Sequence, residues 1–371
     1  MSVNMTNRIE RVMRAMGNSK IDTLLLTPSS GLKYVLGQGP IVDERLFVLA
    51  LSPHSEPFIL ANRLYAAEVS DIFDGNQIFW SDGEDPYPLL ARELKRRKYP
   101  LNKIAVDQST QARFLFPLMD ILSKSRFYSA SQLLDSLRAY KDAEECARIR
   151  EACHRSDEAL RRVMEDGGQW AGQTEAEFFA RLSYEMTALG LDEPGACICA
   201  GPHAADPHYT GRLGRIEQGN CLLVDFGGTY QGYYSDMTRT FWFGDPDPEF
   251  VRVHEIVCQA NAAAKEAAVL GNPLQEVDRA ARHVIESAGY GPYFIHRTGH
   301  GVGIDVHEEP NAAEGEQTEL QPGMAFSVEP GIYLPGRFGV RIEDLILMTE
   351  KGAEVLHNYP CLLYTSDAAD E

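Results

Sequence analysis

The sequence predicts two domains of different construction, an α/β domain over residues 1–132 followed by an α+β domain over residues 133–360. Three observations carry this. In the first third of the chain, short β-rich runs alternate with helical stripes, the pattern of a mostly buried sheet covered by helices. After residue 133 the order changes to long helices, a hairpin, more helices and then short strands, which is the pattern of segregated α+β layers. Finally, 371 residues suffice for two separate cores.

Taken in order, Ile9, Val12, Met13 and Met16 fall at i, i+3, i+4 and i+7 and form one apolar helix stripe. Strands are predicted at 23–27, 46–51, 58–60, 78–80, 104–107 and 127–129, with helices at 88–98 and 113–123. The basic run Lys95-Arg96-Arg97-Lys98 closes the first of these helices, where cations complement the C-terminal end of the dipole. No cluster of His, Cys, Asp or Glu at ligand spacing occurs here, which leaves this part a structural or substrate-gating role.

A long charged helix begins at 133–141 and carries Ile149, Cys153, Leu160 and Met164 through Asp166, with Gly167-Gly168 as its stop. Thr174 and Glu177 form a capping-box signature for a helix to about Leu189, ended by Gly190. A strand at 196–200 precedes the stretch VDFGGTYQGYYSDMTRT, residues 224–240, whose two β-rich runs make a hairpin. With a two-residue turn on Tyr230 and Gln231, Asp225 and Asp236 stand opposite each other on one face, about 5 Å apart. A longer loop using Gly232 gives another register. Two ionised carboxylates that close repel, and one takes up a proton unless a cation lies between them. Asp247-Pro248 and Asn272-Pro273 each offer a cap and first turn, for helices 249–269 and 274–288, with Gly271 and Gly289 as stops. Strands follow at 293–297, 325–329 and 340–349, the last with Arg341, Glu343 and Leu345 on one face.

Composition excludes several classes. The formal charge of −19 and pI near 5.0 argue against nucleic acid as a partner. No run approaches the ~18 apolar residues of a membrane span. Arg8, Glu10, Arg11 and Arg14 stand where a secretory signal needs an apolar core, so a cytoplasmic location is expected. Seven scattered cysteines without a C-x-x-C pair suggest neither a disulfide framework nor a zinc knuckle.

The chemistry-bearing residues lie in five stretches. Besides the hairpin, TGHGVGIDVHEEP contains His300 and His307, FSVEPGIY contains Glu329, GVRIEDLILM contains Arg341 and Glu343, and GPHAADPHYTGR contains His203 and His208. Each alone has an ordinary reading, such as a strand glutamate paired with an arginine or a satisfied core histidine. Together, Asp225, Asp236, Glu329 and Glu343 would put four carboxylates on strands sharing a sheet, and burying them unpaired costs several kcal/mol per ion. Two divalent cations would neutralise the cluster and leave one histidine as nitrogen ligand. Such an oxygen-rich set suits manganese, cobalt, iron or zinc. Two metals ~3.5–4 Å apart hold a bridging water as hydroxide near neutral pH and polarise a carbonyl, which is hydrolytic chemistry.

The ordered motifs VDFGG, SDMTRT, GHGVG, EPGIY and RIED, with Asp225, Asp236, His300, Glu329 and Glu343, resemble the "pita-bread" metallopeptidases: Xaa-Pro dipeptidases (prolidases), aminopeptidase P and methionine aminopeptidase. The first third is similar in pattern to the N-terminal domain of prolidases and creatinases. The resemblance implies a creatinase/prolidase-like α/β N-terminal domain and an α+β pita-bread catalytic domain. It implies hydrolysis of the Xaa-Pro bond of dipeptides through a metal-bridging hydroxide, with aminopeptidase P action on longer Xaa-Pro peptides as the alternative. By position, Asp225 would bind one metal, Asp236 and Glu343 would bridge both, and His300 and Glu329 would complete the second. Manganese is the first expectation for the pair of ions. Glu329 would also carry the proton from the water to the leaving nitrogen. His208 and His307 match the histidines that hold the scissile carbonyl and tetrahedral intermediate, and Arg341 matches an arginine that clamps a carboxylate. His203 and His296 match no family role and read as ordinary. A homodimer is implied too, because the resembling enzymes close the site with a partner's N-terminal loop, here 37–45. One departure concerns specificity: some prolidases have an arginine four residues after the second histidine to grip the free proline carboxylate, and Asn311 stands there. The last residues, CLLYTSDAADE at 361–371, lack any pattern and read as foreign to the fold.

Overall fold

Continuous aliphatic runs such as Leu24–Leu26 and Val48–Leu51 are buried on both faces, which requires a sheet covered on both sides. In the computed structural model, which describes residues 3–19, 21–37, 39, 44–165 and 170–361, these runs lie in a six-stranded sheet. Its order is Asn76–Trp80, Ser55–Asn62, Val48–Ser52, Thr23–Leu26, Lys103–Val106 and Arg126–Ser129. The helix Val3–Ser19 buries Ile9, Val12 and Met16 as its stripe predicts. Helices Pro86–Arg96 and Ala112–Ile121 also stand where periodicity puts them. Helices Ser30–Leu36 and Ala66–Ile72 were not read, because seven residues are too few to display a repeating stripe. Of the loop expected to reach a partner, residues 38 and 40–43 lie outside the described residues, as do the expected helix stop at 167–168 and the end of the chain from 362.

Residues 1–138 form one unit and 139–371 a second. In the second, the strands Asp192–Ala200, Asn220–Tyr230 and Met237–Phe243 make an antiparallel sheet packed by Val224 and Phe241 against Leu160 of helix Ala143–Glu165 and Phe178 of helix Glu175–Ala188. A five-stranded antiparallel sheet contains Glu308–Ala312, Gly299–Gly301, Ala325–Val328, Asp344–Thr349 and Gly352–Val355. Phe326 and Ile346 of this sheet join Phe250, Val257 and Val277 of helices Pro248–Ala267 and Gln275–Ser287 in a second core. The α/β then α+β construction expected from the sequence is therefore the observed one. The Thr174–Glu177 capping box and the Asp247-Pro248 start are present as read.

Several local expectations are corrected. The hairpin turns on Gln231 (φ 48°) and Gly232 (φ 80°), the left-handed pair that matches strand twist; the Tyr230–Gln231 turn would have put a bulky tyrosine there instead. Asp225 consequently pairs with Thr238. Because the turn moves by one residue the pairing sum changes by two, so Asp225 and Asp236 keep the same face but stand diagonally. The strand expected at 340–349 is two strands: Phe338–Arg341 pairs with Gly331–Leu334, while Asp344–Thr349 pairs with Ala325–Val328. Pro330, which has no N–H, marks the matching break on the partner. Helix 133–141 stops at Arg138, and Asp142 caps a new helix by accepting from the N–H groups of Glu144 and Glu145. Asn272 is no cap, since loop carbonyls of Thr318 and Glu316 accept from Leu274 and Gln275. No strand forms at 293–297, where Arg282 donates to the carbonyls of Phe294 and His296. Cys258 and Cys361 are joined in a disulfide, which the scattered cysteine count did not predict.

Candidate metal centre

The breaks in the ladders place the acids. Glu329 follows strand Ala325–Val328, and Glu343 lies between Phe338–Arg341 and Asp344–Thr349, so both occupy positions where the chain changes sheet. Glu343 N–H donates to the Thr238 carbonyl, which ties this break to the hairpin carrying Asp225 and Asp236. Two glycines permit the close approach. A Cβ on Gly227 would lie 2.0 Å from the Ser235 carbonyl oxygen, and one on Gly299 would lie 1.8 Å from that of Ser327. His300 then sits between strands with its N–H on Ser327 Oγ at 3.0 Å.

The side chains converge. His300 Nε2 lies 3.2 Å from Glu329 Oε1 and 3.7 Å from Asp236 Oδ2. Asp236, His300 and Glu343 are all buried and present ligand atoms within 4.8 Å of one another. Asp225 is tied to Arg341, whose Nη2 donates to its Oδ2 at 2.7 Å. All five line one cavity of about 640 Å³, together with His208, His307 and Arg341. His208 and His307 are exposed at its opening, and the His307 ring stands 4.1 Å from that of His300. Thus the eight residues given metal or catalytic roles from the sequence line the same cavity.

Burial pushes the Asp236 carboxyl well above the usual range, and Glu343 and Asp225 add to this. Burial does the same to Glu343, reinforced by Glu329 and Asp225. Glu329 goes the other way: burial opposes ionisation, but the hydrogen bond and charge of His300, with the charge of Arg341, hold its carboxyl low. His300 is correspondingly raised, its burial being outweighed by Glu329 and Asp236. His307 is lowered by the protein packed around it and by the charges of His300 and Arg297. Glu343 Oε2 accepts from Thr238 Oγ1 at 2.6 Å, whereas its Oε1 is buried with no hydrogen-bond partner among the described residues. An orphaned, buried carboxylate oxygen among other acids and one imidazole is the donor set that a hard or borderline divalent cation satisfies.

Two sets of supporting residues escaped the sequence reading. His296, read as ordinary, accepts at Nε2 from Tyr333 Oη (2.8 Å), while Arg341 Nη1 donates to the same hydroxyl (2.9 Å). Its Nδ1 donates to the Arg297 carbonyl (2.6 Å), so the ring is neutral, in keeping with a pKa lowered by burial. The chain His296–Tyr333–Arg341–Asp225 thereby orients one acid of the cluster. His203 is bonded through Nδ1 to the fully buried Glu175 (2.7 Å), which also accepts from the N–H groups of Ala200 and Gly214. With Tyr209 stacked on His203, these bonds hold the loop that carries His208. Their spacing from the motif residues, His296 four before His300 and Tyr333 four after Glu329, was the signal available.

Comparison with known proteins agrees with this geometry. Residues 147–350 match the model of "Metallopeptidase family M24", and residues 8–140 match "Creatinase/Prolidase N-terminal domain". The chain is 37% identical over 359 residues to the "Probable dipeptidase PepE" of Mycobacterium tuberculosis, covering 95% of this chain and 94% of that one. Among solved structures, the recombinant prolidase from Thermococcus sibiricus superposes with TM-score 0.94 at 35% identity, covering 98% of this chain and all of that one. The X-Pro aminopeptidase from Thermotoga maritima gives TM-score 0.84 at 27% identity, over 96% and 99% of the two chains.

Proposed function

Since this chain belongs to metallopeptidase family M24 and is thus a peptidase, we propose that it hydrolyses the Xaa-Pro bond of dipeptides with two divalent ions bound. The observation carrying the proposal is the buried Asp236, His300, Glu343 group with its bare Glu343 Oε1, at the floor of a cavity whose mouth holds two histidines. Asp225, Asp236, His300, Glu329 and Glu343 are the metal donors in this reading. The ions, when bound, supply a Lewis acid for the scissile carbonyl and bring the pKa of water toward neutrality.

The chain's own groups do the rest. Glu329 takes a proton from the attacking water and delivers it to the leaving proline nitrogen. His208 and His307 face the substrate from the cavity mouth and donate to the oxygen on which charge develops. Arg341 holds Asp225 in place, and its clamped carboxylate is thus a protein one. The similarity to proteins named dipeptidase and prolidase along nearly the whole chain supports the dipeptide substrate.

Manganese as the physiological metal, a homodimer and a cytoplasmic location belong to the same proposal. Among the described residues no helix is long and apolar enough to cross a membrane. The second reading, release of the N-terminal residue from longer Xaa-Pro peptides, is favoured by Asn311, which donates its amide to Glu309 Oε2 and is absent from the cavity wall. A panel of Ala-Pro, Ala-Pro-Ala and Ala-Leu assayed with manganese, cobalt and zinc tests both readings. Cleavage of Ala-Pro with little turnover of Ala-Leu is expected; preference for the tripeptide would install the second reading.

A further inference from the structure

A Xaa-Pro dipeptide ends in a carboxylate two bonds from the scissile nitrogen, so its anchor must lie in the cavity that holds the acids. The four carboxylate side chains of that cavity are matched in charge by the two divalent ions of the proposed function, so a fifth negative group calls for a further positive one. The position used for this purpose in some resembling enzymes is Asn311 here, and its side chain is turned to Glu309. The cation must come from elsewhere.

Among the cavity-lining residues there are three arginines, Arg212, Arg297 and Arg341. The Arg341 guanidinium is occupied on all sides, donating to Thr238 Oγ1 (3.2 Å), Tyr333 Oη (2.9 Å) and Asp225 Oδ2 (2.7 Å). The Arg212 guanidinium stands over the Phe179 ring, 3.5 Å from its centroid, with Nη2 donating to the Ala196 carbonyl at 3.1 Å and a buried Nη1 that has no hydrogen-bond partner among the described residues, so it presents no open fork. The Arg297 guanidinium makes no hydrogen bond or ion pair among the described residues, and its charge acts on His307.

The backbone on both sides of Arg297 is held firmly. Its carbonyl accepts from His296 Nδ1, and Thr298 bonds through N–H (3.0 Å) and Oγ1 (2.7 Å) to the buried Asp278. The Thr298 carbonyl in turn accepts from the Glu329 N–H at 2.8 Å, so Arg297 is one residue from a rung shared with a proposed metal donor. A half-buried arginine on a backbone held on both sides, next to the reacting centre and with its fork unspent, is suited to bidentate capture of a carboxylate.

We infer that Arg297 is the specificity-determining anchor for the free C-terminal carboxylate of the dipeptide, in place of the arginine missing at 311. This rests on the dipeptidase reading and extends it: a substrate with a neutral C-terminus lacks the partner that Arg297 requires. The substrate class is therefore the zwitterionic Xaa-Pro dipeptide rather than its amide or a blocked peptide.

The test compares Ala-Pro with Ala-Pro amide, using the metal-loaded full chain, for wild type, Arg297→Leu, Arg297→Lys and Arg212→Leu. In the wild type, kcat/KM favours Ala-Pro over the amide by about tenfold or more. Arg297→Leu raises KM for Ala-Pro by about 30-fold with a smaller change in kcat, while the amide loses at most about threefold. Arg297→Lys, which keeps the charge but not the fork, recovers part of the loss, and L-proline inhibits wild type better than Arg297→Leu while L-prolinamide does not discriminate them. Equal losses for Ala-Pro and its amide, or an unchanged KM for Ala-Pro, overturn the anchor but leave the dipeptidase reading intact. Collapse of the Ala-Pro preference in Arg212→Leu instead also overturns it. A wild type that cleaves Ala-Pro-Ala but not Ala-Pro removes the dipeptidase reading itself, and the anchor with it.

Discussion

Glu343 and Asp344 are adjacent in the chain and almost equally buried, yet the regions they face treat a carboxylate in opposite ways. Asp344 meets Arg239 Nη2 at 2.7 Å and Lys265 Nζ at 2.8 Å in the layer behind the cavity. Its burial disfavours the charge, but these two cations more than offset this and lower its pKa. Glu343 faces the cavity, has one hydroxyl donor and a bare oxygen, and is pushed up by burial and by two other acids. The contrast repeats: Asp278 has Arg282 and Thr298, and Asp157 has His357, whereas among the described residues Asp236 has only the more distant His300. Acids such as Asp344, Asp278 and Asp157 arrive with partners, and Asp236 and Glu343, left short of them, are held for something the chain does not supply.

The largest expected effect breaks the cavity side of this contrast. Asp236→Ala lowers kcat/KM for Ala-Pro by about four orders of magnitude or more, while melting in EDTA stays at or above wild type because a strained acid is gone. A variant with wild-type turnover would remove Asp236 from the metal set. On the other side, Asp344→Ala strands Arg239 and Lys265 and costs about 3–5 kcal/mol in urea unfolding; a cost below about 1 kcal/mol would erase the distinction between the two regions. His307→Ala lowers kcat by about 10²–10³-fold with the metal content of the purified protein unchanged by elemental analysis.

Two pH measurements sharpen the same contrast. In the metal-free chain Asp236 and Glu343 have folded pKa values above the unfolded 3.8 and 4.5, so the folded state binds more protons there. Stability of the metal-free protein accordingly falls as pH rises through those folded values, and metal binding releases protons. Calorimetric titration with manganese in buffers of different ionisation enthalpy reads the release; a buffer-independent heat would contradict it. The smallest effect is away from the site. Burial lowers the His254 pKa from 6.5 to about 4, so the unfolded chain binds the extra proton between those values. Below pH 6.5 this costs stability with a limiting slope of about 1.4 kcal/mol per pH unit, and none above. His254→Phe should flatten the acid limb of the melting curve in that window; an unaltered limb would show that another group sets it.

Features encoded by neighbouring residues were legible. The Thr174–Glu177 box, the Asp247-Pro248 start and the Ile9–Met16 stripe each involve groups within two turns of helix, so local spacing sufficed. The five metal-donor candidates were legible through motif order and residue type. The turn on Gln231–Gly232 was missed by one position because strand patterning has a period of two and tolerates such a shift without changing faces. The break at 342–343 was missed because it is imposed from Pro330, on another strand.

By itself the sequence determined most of the long helices, the hairpin and the residue types available as donors, since periodicity, caps and residue chemistry act over a few positions. Tertiary structure alone decided which acids are paired and which are bare, and which arginine remains unspent. The reason is that burial and charge are set by groups remote in the chain: Arg341 reaches Asp225 across 116 residues, and Arg239 reaches Asp344 across 105.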